Sequence, residues 1–425
     1  MPALPFPADP SAPIVEWLFF DLNAYFASVE QQERPELRGR PVGIVPLITD
    51  HTVCIAASYE AKAYGVKTGT AVEDAKLLCP HLVLVEARPK LYVEYHHSII
   101  EAVEKCVPIS HVMSIDEMAC RLMGRERFLP NATTIGYSVK EALRSIGITL
   151  RCSVGLAPNR YLSKIAADIC KPDGLVALTS RDLPEALFCL KLSDLVGIGT
   201  AMEQRLSRQG IVTVKQLWNL SPEQMREAWH SVVGERLWHW LRGADFHDPE
   251  FKRKSVGKQH VLAPEYRTRE KAYGVALKLL SITATNLRKF NMWAGGIGVI
   301  VHFLKKRPAR SGDDWTEPPS WKAQKRVYEC RDTMTLQSHF TQLWHDCPPH
   351  EPLQVGVWLF NLVPDDVHSL SLFENDETRH RVSIVMDELN RRFGQHTIYL
   401  GGLHGLRNAA PTRISFTSIP ELVDF

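Results

Sequence analysis

Two adjacent acids, Asp116 and Glu117, follow an apolar stretch at residues 107–113 that predicts a buried strand. Burying a carboxylate is costly unless a cation or several hydrogen-bond donors meet it. Two neighbouring carboxylates at the end of such a strand therefore need a partner, and a metal ion is the simplest one. The alternative is a bend in which both acids are solvated.

Asp21 is the other acid in a comparable position. It ends an apolar strand predicted at residues 14–21 and precedes a predicted helix at 23–31, while residues 117–122 alternate as the return arm of a hairpin. We expect Asp21, Asp116 and Glu117 to meet at one edge of a sheet. Carboxylates without paired His or Cys favour Mg²⁺ or Mn²⁺ over zinc, and two such ions serve in-line displacement at phosphorus.

The order of predicted elements gives the fold class, α+β with several domains. Residues 14–170 predict helices packed on one antiparallel sheet. Residues 183–242 are helical with short loops, 245–253 lack periodicity and predict a linker, and a second, smaller α+β domain follows. A last helix is predicted at 379–393. A chain of 425 residues is long enough for several cores.

Cysteine content and hydropathy restrict the cellular setting. The nine cysteines include no C-x-x-C spacing, which argues against a disulfide framework and against a zinc knuckle. No uninterrupted apolar stretch approaches the ~20 residues of a membrane span. The sequence therefore predicts a cytoplasmic protein without a membrane partner.

Charge is segregated along the chain although the net charge is only +2. Residues 252–310 contain fourteen Lys and Arg against two acids, Glu265 and Glu270. This imbalance indicates a polyanion bound by one domain, or else a solvated basic face.

Two glycine-containing joints lie in the helical region, at residues 196–199 and 232–234. A glycine turn before a helix leaves backbone N–H groups free to bind phosphate. The alternative is an ordinary turn between two helices.

Six short motifs, in this order and spacing, resemble the Y-family lesion-bypass DNA polymerases. They are DLNAYFASVE at 21–30, ASYEAK at 57–62, GVKTG at 65–69, SIDE at 114–117, SKIAAD at 163–168 and KPDG at 171–174. Ordered motifs are far more specific than any one alone. The resemblance covers residues 15–375, and the layout is similar to the bacterial polymerase IV and polymerase V catalytic-subunit types, more to polymerase V because about fifty residues follow position 373.

The resemblance implies a right-hand polymerase with a ferredoxin-like palm, small fingers, a helical thumb with a helix-hairpin-helix, and an α+β little finger. The implied boundaries are 1–30 and 91–180 for the palm, 31–90 for the fingers, 181–245 for the thumb, 246–253 for a linker, 254–375 for the little finger and 376–425 for a C-terminal extension without an assigned role.

The resemblance also implies roles for single residues. Asp21, Asp116 and Glu117 match catalytic metal ligands, with Leu22 completing the second of two Mg²⁺ sites through its carbonyl. Phe26 matches the steric gate that excludes a ribose hydroxyl. The other nucleotide-binding positions are Tyr25, Tyr59, Lys62 and Lys164. Lys62 stands where the family more often has Arg, which favours a point-charge contact with phosphate.

Primer-template DNA is the implied macromolecular partner, and dNTP the implied substrate. The DNA-binding positions are Gly197, Gly199, Lys252, Arg253, Lys254, Lys305, Lys306 and Arg307. Residues 369–373, SLSLF, resemble the peptide by which bacterial polymerases bind the sliding clamp, with Leu370, Leu372 and Phe373 as its apolar contacts. A plain edge strand is the alternative for this segment, and the need for an accessory subunit stays open.

The predicted activity is low-fidelity, template-directed DNA synthesis across damaged template, without a proofreading exonuclease. One alternative is a catalytically inactive scaffold that binds DNA and the clamp; the presence of all three carboxylates argues against it. A second alternative is a nucleotidyl cyclase, which has no use for the thumb-like turn or the basic terminal domain.

Overall fold

The computed structural model describes residues 14–50, 52–246, 253–304, 319–368, 377–395, 397–406, 409–410, 414 and 419–422. The chain forms two compact units. The first comprises Met1–His247 and Arg413–Leu422, and the second comprises Asp248–Thr412 and Val423–Phe425. Each unit has its own hydrophobic core.

The first unit contains eight strands and eleven α-helices among its described residues. The strands are β1 (Trp17–Leu22), β2 (Val42–Val45), β3 (Ala56–Ala57), β4 (Val83–Glu86), β5 (His111–Val112), β6 (Glu117–Arg121), β7 (Cys152–Ala157) and β8 (Leu175–Ala177). The helices are α1 (Tyr25–Glu33), α2 (Tyr59–Lys62), α3 (Val72–Leu78), α4 (Pro89–Glu104), α5 (Leu129–Ile146), α6 (Arg160–Ile169), α7 (Glu185–Phe188), α8 (Thr200–Arg208), α9 (Val214–Trp218), α10 (Pro222–Trp229) and α11 (Val232–Leu241).

A five-stranded sheet in the order β5-β6-β1-β7-β8 organises the first unit. Strand β1 is central, and both of its faces are covered: Leu18 and Phe20 pack in the core that includes residues of α4 and α5, whereas Phe19 packs against Ala167 of α6. Two covered faces explain why this strand is an uninterrupted apolar run in the sequence. Its polar end, Asp21, is thereby placed at a fixed position on the sheet.

A smaller three-stranded sheet, β3-β2-β4, lies between α1 and α4 in the chain. Its β2 and β4 strands are parallel and its β2 and β3 strands antiparallel. The Ser58 side chain accepts a hydrogen bond from the backbone N–H of Ala61, so that Ser58 caps α2. The cap fixes the helix that carries Tyr59 and Lys62.

The second unit is a four-stranded antiparallel sheet with helices on one face. Its elements are β9 (Ser255–Val261), α12 (Arg269–Lys289), β10 (Met292–Phe303), β11 (Ser320–Cys330), α13 (Thr333–Trp344), β12 (Pro352–Pro364) and α14 (Glu377–Phe393). The strand order is β11-β10-β12-β9. In β11 the side chains alternate: Lys325 donates to Gln342 of α13, while Lys322 and Arg326 are exposed on the opposite face.

The C-terminal extension is structurally part of the second unit up to residue 410. Asp387 of α14 accepts hydrogen bonds from Arg288 of α12, and Leu403 is buried in the core. The buried Lys278 side chain donates to the carbonyl of Ala409 over 2.5 Å. Farther on, Ile414 and Ile419 pack against the core of the first unit.

Several predicted elements differ from those observed. Residues 107–113 do not form a buried strand: β5 is only His111–Val112, and both residues are exposed at the sheet edge. An edge strand has a single neighbour, and Pro108 has no N–H to offer a ladder. The sheet is also mixed rather than antiparallel, because β8 runs parallel to β7. The hairpin of β5 and β6 is confirmed.

All nine cysteines are free thiols. Among the described residues, no helix combines the length and apolar character that a membrane crossing requires.

Candidate active site

Three acids, Asp21, Asp116 and Glu117, lie together at the end of β1 and the start of β6. We call them the floor of the site. Asp21 is paired in register with Glu117 across the antiparallel ladder, and the N–H of Leu22 donates to the carbonyl of Asp116 over 2.8 Å. Asp116 lies in the bend before β6, where the Ser114 hydroxyl donates to its carboxylate over 2.6 Å. The three acids predicted from distant parts of the sequence thus occupy adjacent positions.

A cavity of about 190 Å³ opens above this floor; we call it the acidic cavity. Its lining residues come from the end of β1, the start of α1, β3 and α2 with their flanking loops, the bend before β6 and the loop after α6: Asp21, Leu22, Ala24, Tyr25, Phe26, Ile55, Ala56, Ala57, Tyr59, Lys62, Thr68, Asp116 and Lys171. Two acids and two lysines therefore line one small cavity.

Lysines neutralise two of the three acids. The Lys171 ammonium lies 2.7 Å from Asp21 and 2.7 Å from Asp168. The Lys164 ammonium lies 2.7 Å from Glu117 and is not among the cavity-lining groups. Lys164, which the resemblance assigns to the nucleotide, therefore contacts a carboxylate of the floor instead. Lys171 reaches the cavity, although its motif was noted in the sequence without a role.

Burial dominates the electrostatics of the floor. Burial raises the pKa of Asp21 to about 7, against the opposing effect of Lys171. Burial also raises the pKa of Asp116, and the neighbouring Glu117 raises it further. Lys62 has a lowered pKa because burial and Lys171 both disfavour its charge. Burial thus disfavours the ionised form of these carboxylates, and a bound cation would stabilise that form and displace their protons.

The donor set fits a hard divalent cation. Its side-chain donors are carboxylate oxygens, which Mg²⁺ and Mn²⁺ prefer. No group of three His, Cys, Asp or Glu side chains forms a ready metal cage in the described part of the chain. The Lys171 and Lys164 ammonium groups lie 2.7 Å from Asp21 and Glu117, where they neutralise carboxylates that a cation would otherwise bind.

The loop that carries Lys171 is fixed by its neighbours. Asp173 adopts a positive φ of 57° and binds three cations, Lys140 at 2.6 Å, Arg144 at 3.1 Å and Arg151 at 2.8 Å. Its backbone N–H donates to Asn23, two residues beyond Asp21. The loop is therefore held directly to the end of β1.

Aromatic residues of α1 form one side of the acidic cavity. Phe26 is half-buried, and its ring stacks on Tyr92 of α4 with centroids 4.5 Å apart. Tyr25 is buried, and its hydroxyl donates to the carbonyl of Tyr92 over 2.6 Å. Across the cavity, the Lys62 ammonium lies 4.3 Å from the centre of the Tyr59 ring.

The DNA-binding and clamp positions predicted from the sequence divide into described and undescribed residues. Gly197 and Gly199 are exposed in the turn before α8, and the buried Ile198 between them anchors that turn. Arg253 and Lys254 are exposed. Lys252, Lys305, Lys306, Arg307, Leu370, Leu372 and Phe373 lie outside the described residues. Gly234 of the second glycine joint instead packs against α10, since a methyl group there would lie 2.1 Å from the Met225 carbonyl oxygen.

Three family models match the chain in sequence. The description "impB/mucB/samB family" covers residues 20–168, "DNA polymerase-iota, thumb domain" covers 193–245, and "impB/mucB/samB family C-terminal domain" covers 253–372. These matches together span well over half of the chain.

Curated relatives and solved structures agree with the family models. The chain is 34% identical to a DNA polymerase IV of Moorella thermoacetica, over 90% of this chain and 94% of the relative, and 32% identical to one of Pelotomaculum thermopropionicum, over 90% and 93%. A Y-family DNA polymerase chimera of Dbh and Dpo4 has the same fold, with a TM-score of 0.67 and 21% identity, covering 82% of this chain and 99% of that one. The predicted fold class is confirmed.

Proposed function

The chain belongs to the impB/mucB/samB family of Y-family DNA polymerases, and from that premise we propose that Asp21, Asp116 and Glu117 form the centre at which it performs translesion DNA synthesis. The observation that carries the assignment is the shared cavity, which Asp21 and Asp116 line together with Lys62 and Lys171. Members of this family depend on a divalent metal, and relatives named DNA polymerase IV favour that type over the polymerase V type.

The floor would hold two Mg²⁺ ions through Asp21, Asp116, Glu117 and the Leu22 carbonyl, and Mn²⁺ could replace them. When bound, such ions lower the pKa of the attacking hydroxyl and neutralise the charge on the phosphates. In the reaction the primer 3′-oxygen bonds to the α-phosphorus of the dNTP, and pyrophosphate leaves.

The residues around the floor supply nucleotide binding. Tyr59, Lys62 and Lys171 line the acidic cavity and can contact a triphosphate by hydrogen bond and charge. We assign Lys171 to the phosphates and give Lys164 a different part: by pairing with Glu117 it holds that carboxylate at the edge of the floor. Phe26 would exclude a ribose 2′-hydroxyl, and Tyr25 would fix the backbone beside it.

Small side chains keep the upper part of the cavity open. Ala56 and Ala57 line it on the β3 side. Without bulky groups there, the site would tolerate a damaged or mispaired base, at the expense of base selectivity.

We propose that the second unit contacts the DNA backbone through the helix-free face of its sheet. Lys322 and Arg326 are exposed on this face, where the alternation of β11 in the sequence already separates them from the core-facing Trp321, Ala323 and Val327. Arg253 and Lys254 add positive charge at the start of β9, and the N–H groups of the turn at Gly197 and Gly199 would bind a further phosphate. Such contacts are independent of sequence and sensitive to salt.

The proposed domains are the palm, fingers, thumb and little finger with the boundaries given above. We also propose that Leu370, Leu372 and Phe373 bind the bacterial sliding clamp. Primer extension with and without the clamp, on the protein with Leu372 and Phe373 replaced by alanine, tests this partner. A clamp that stimulates both proteins equally would rule the segment out.

Primer extension across an abasic template site tests the central assignment. The double variant Asp116→Ala/Glu117→Ala should lose about 1,000-fold or more in rate, because it removes two charges from the reacting centre. Glu73→Ala/Asp74→Ala is the matched control, since it removes an adjacent, exposed acid pair from α3. Robust extension by the first variant would refute the assignment, and equal losses in both would attribute the effect to charge alone.

A further inference from the structure

A fully buried carboxylate, Glu30, lies one helical turn after Phe26 on α1 and outside the acidic cavity. Its side chain is 0% exposed. Arg88 binds it with two hydrogen bonds, from Nε to Oε1 over 3.0 Å and from Nη2 to Oε2 over 2.6 Å. The Tyr92 hydroxyl donates to Oε1 over 2.9 Å. Glu30, Arg34, Arg88 and Tyr92 are called the Glu30 cluster below.

The cluster reaches the cavity through Tyr92. The Tyr92 ring is 1% exposed and stacks on Phe26 with an interplanar angle of 16°. Its hydroxyl is held by Glu30 at one end, and its backbone carbonyl accepts from Tyr25 at the other. The surface against which Phe26 rests is therefore fixed by Glu30 and not by packing alone.

The cluster also holds the segment between α1 and α4, which contributes further lining residues to the cavity, at both of its ends. Arg34 follows the last residue of α1, and Arg88 precedes the first residue of α4. Both guanidinium groups approach the same Glu30 oxygen, Oε2, at 3.7 Å and 2.6 Å. The segment between them carries Tyr59 and Lys62, which line the cavity.

We propose that Glu30 is a positioning residue for sugar selection. Through Tyr92 it sets the place of the Phe26 ring, and through Arg34 and Arg88 it sets the place of the segment that faces this ring. The gap between the two, in which the nucleotide sugar would lie, is then defined by one carboxylate that never touches the substrate. This inference rests on the proposed gate role of Phe26.

A buried ion pair that only stabilises the fold is the competing explanation, and the two differ in what they do to substrate choice. Loss of stability lowers the fraction of active enzyme and reduces dNTP and rNTP incorporation alike. A shifted gate admits the ribose hydroxyl and changes their ratio. The ratio of kcat/KM for a dNTP to that for the matching rNTP is therefore the measurement that separates them.

Two conservative variants keep the fold testable. Tyr92→Phe retains the stacked ring and removes one hydrogen bond. Glu30→Gln retains the volume and removes the charge, and the Arg88 side chain, 37% exposed, can turn to water instead of being left buried without a partner. Tyr95→Phe is the matched control, because the Tyr95 hydroxyl donates to Glu33 between the same two helices but its ring does not stack on Phe26.

The experiment compares single-nucleotide incorporation of a dNTP and its rNTP by the full chain and its variants. Tyr92→Phe and Glu30→Gln should lower the dNTP preference about 3- to 10-fold, the range expected for loss of one hydrogen bond. Tyr95→Phe should leave it unchanged. Phe26→Ala should lower it about 10-fold or more. Adding Tyr92→Phe to Phe26→Ala should then have no further effect, because both act through the same ring.

Each outcome leads to a different conclusion. If Phe26→Ala lowers the preference while Glu30→Gln and Tyr92→Phe leave it unchanged, the gate stands and the positioning role is overturned. Equal loss of dNTP and rNTP incorporation in both cluster variants also overturns it. If Phe26→Ala has no effect on the ratio, the proposed gate fails, and this inference fails with it.

Discussion

The ion pair of Lys171 and Asp21 determines the protonation of both side chains. Burial works against the ionised Asp21 carboxylate, whereas the Lys171 ammonium 2.7 Å away works for it. For Lys171 itself, burial lowers the pKa, but the carboxylates of Asp21 and Asp168 raise it overall. The lysine therefore stays charged at the edge of the floor, where it can pass from a carboxylate to a phosphate.

Replacing Lys171 tests this transfer of partners. Lys171→Ala should raise the KM for dNTP about 10-fold or more, because a charge-assisted phosphate contact is lost. Steady-state single-nucleotide incorporation gives the value. Lys164→Ala serves for comparison: its effect should fall mainly on kcat, since Lys164 pairs with Glu117 and lies outside the cavity lining. A larger KM effect for Lys164 than for Lys171 would reverse the two roles.

The carboxylates were predictable at this scale and the lysines were not. Asp21 follows one apolar run of the sequence, and Asp116 and Glu117 follow another, and acids at such positions are conspicuous. Lys164 lies within α6, and Lys171 lies seven residues later, just after the end of that helix. Which of them enters the cavity depends on the loop that Asp173 anchors through Lys140, Arg144 and Arg151, and no local pattern encodes three such long-range contacts.

Among the elements, β7 and α6 make the closest approach behind the floor. A methyl group on Gly155 of β7 would lie 1.9 Å from the carbonyl oxygen of Ser163 and 2.4 Å from the backbone nitrogen of Ala167. Since Asp21 pairs with Ser153 of the same strand, this contact sets the distance between the strand end and the helix that carries Lys164.

Gly155→Ala should therefore destabilise the first unit by about 3 kcal/mol or more, because backbone atoms cannot yield to the added carbon. Thermal unfolding monitored by circular dichroism measures the loss. Gly199→Ala is a suitable stability control: Gly199 has a φ of −85° and no atom within 4 Å of the added carbon. A Gly155→Ala protein as stable as the control would show that β7 and α6 can separate.

Element type was largely predictable, and element neighbours were not. The hairpin of β5 and β6 follows from alternation on both sides of a bend. The exposure of β5 and the parallel pairing of β8 depend on which strand lies beside each, and apolar residues at a sheet edge look the same in sequence as those in its centre. Periodicity identifies a strand without identifying its partner.

In the molecule as a whole, some of the basic residues counted at 252–310 are buried and not exposed at the surface. Lys278 is 4% exposed and Arg288 9% exposed, and both hold parts of the C-terminal extension, at Ala409 and Asp387. Counting charges along the sequence cannot separate these buried residues from exposed ones of the same stretch, such as Lys254. The count of basic residues at 252–310 is therefore an overestimate of the positive charge that this stretch exposes.

Lys278 also makes stability depend on pH. Burial, together with Lys258, lowers its pKa from 10.5 to about 8. Between these values the unfolded chain binds more protons than the folded one, so stability rises with pH over this range and is lost again as the pH falls to about 8. The full effect is about 3 kcal/mol.

Lys278→Met should remove this rise. Urea unfolding of the wild type and the variant, at pH values from 7.5 to 10, gives the difference between their stabilities, which should change by about 2 kcal/mol in favour of the wild type as the pH increases. Lys271→Met, an exposed position on the same helix, should leave the pH dependence as it is in the wild type. Parallel curves for the wild type and Lys278→Met would show that Lys278 stays charged in the folded protein over this range, so that burial does not lower its pKa.

The Glu30 cluster has a consequence for building hybrid enzymes. Arg34 and Arg88 both bind the Glu30 carboxylate. The two ends of the stretch between them therefore lie close together beside α1. Positions 34 and 88 are therefore suitable boundaries for a chimera, in which the corresponding stretch of a relative replaces residues 34–88 and the floor is left unchanged. A recipient that keeps Glu30 and a donor that brings both arginines would share the same joint.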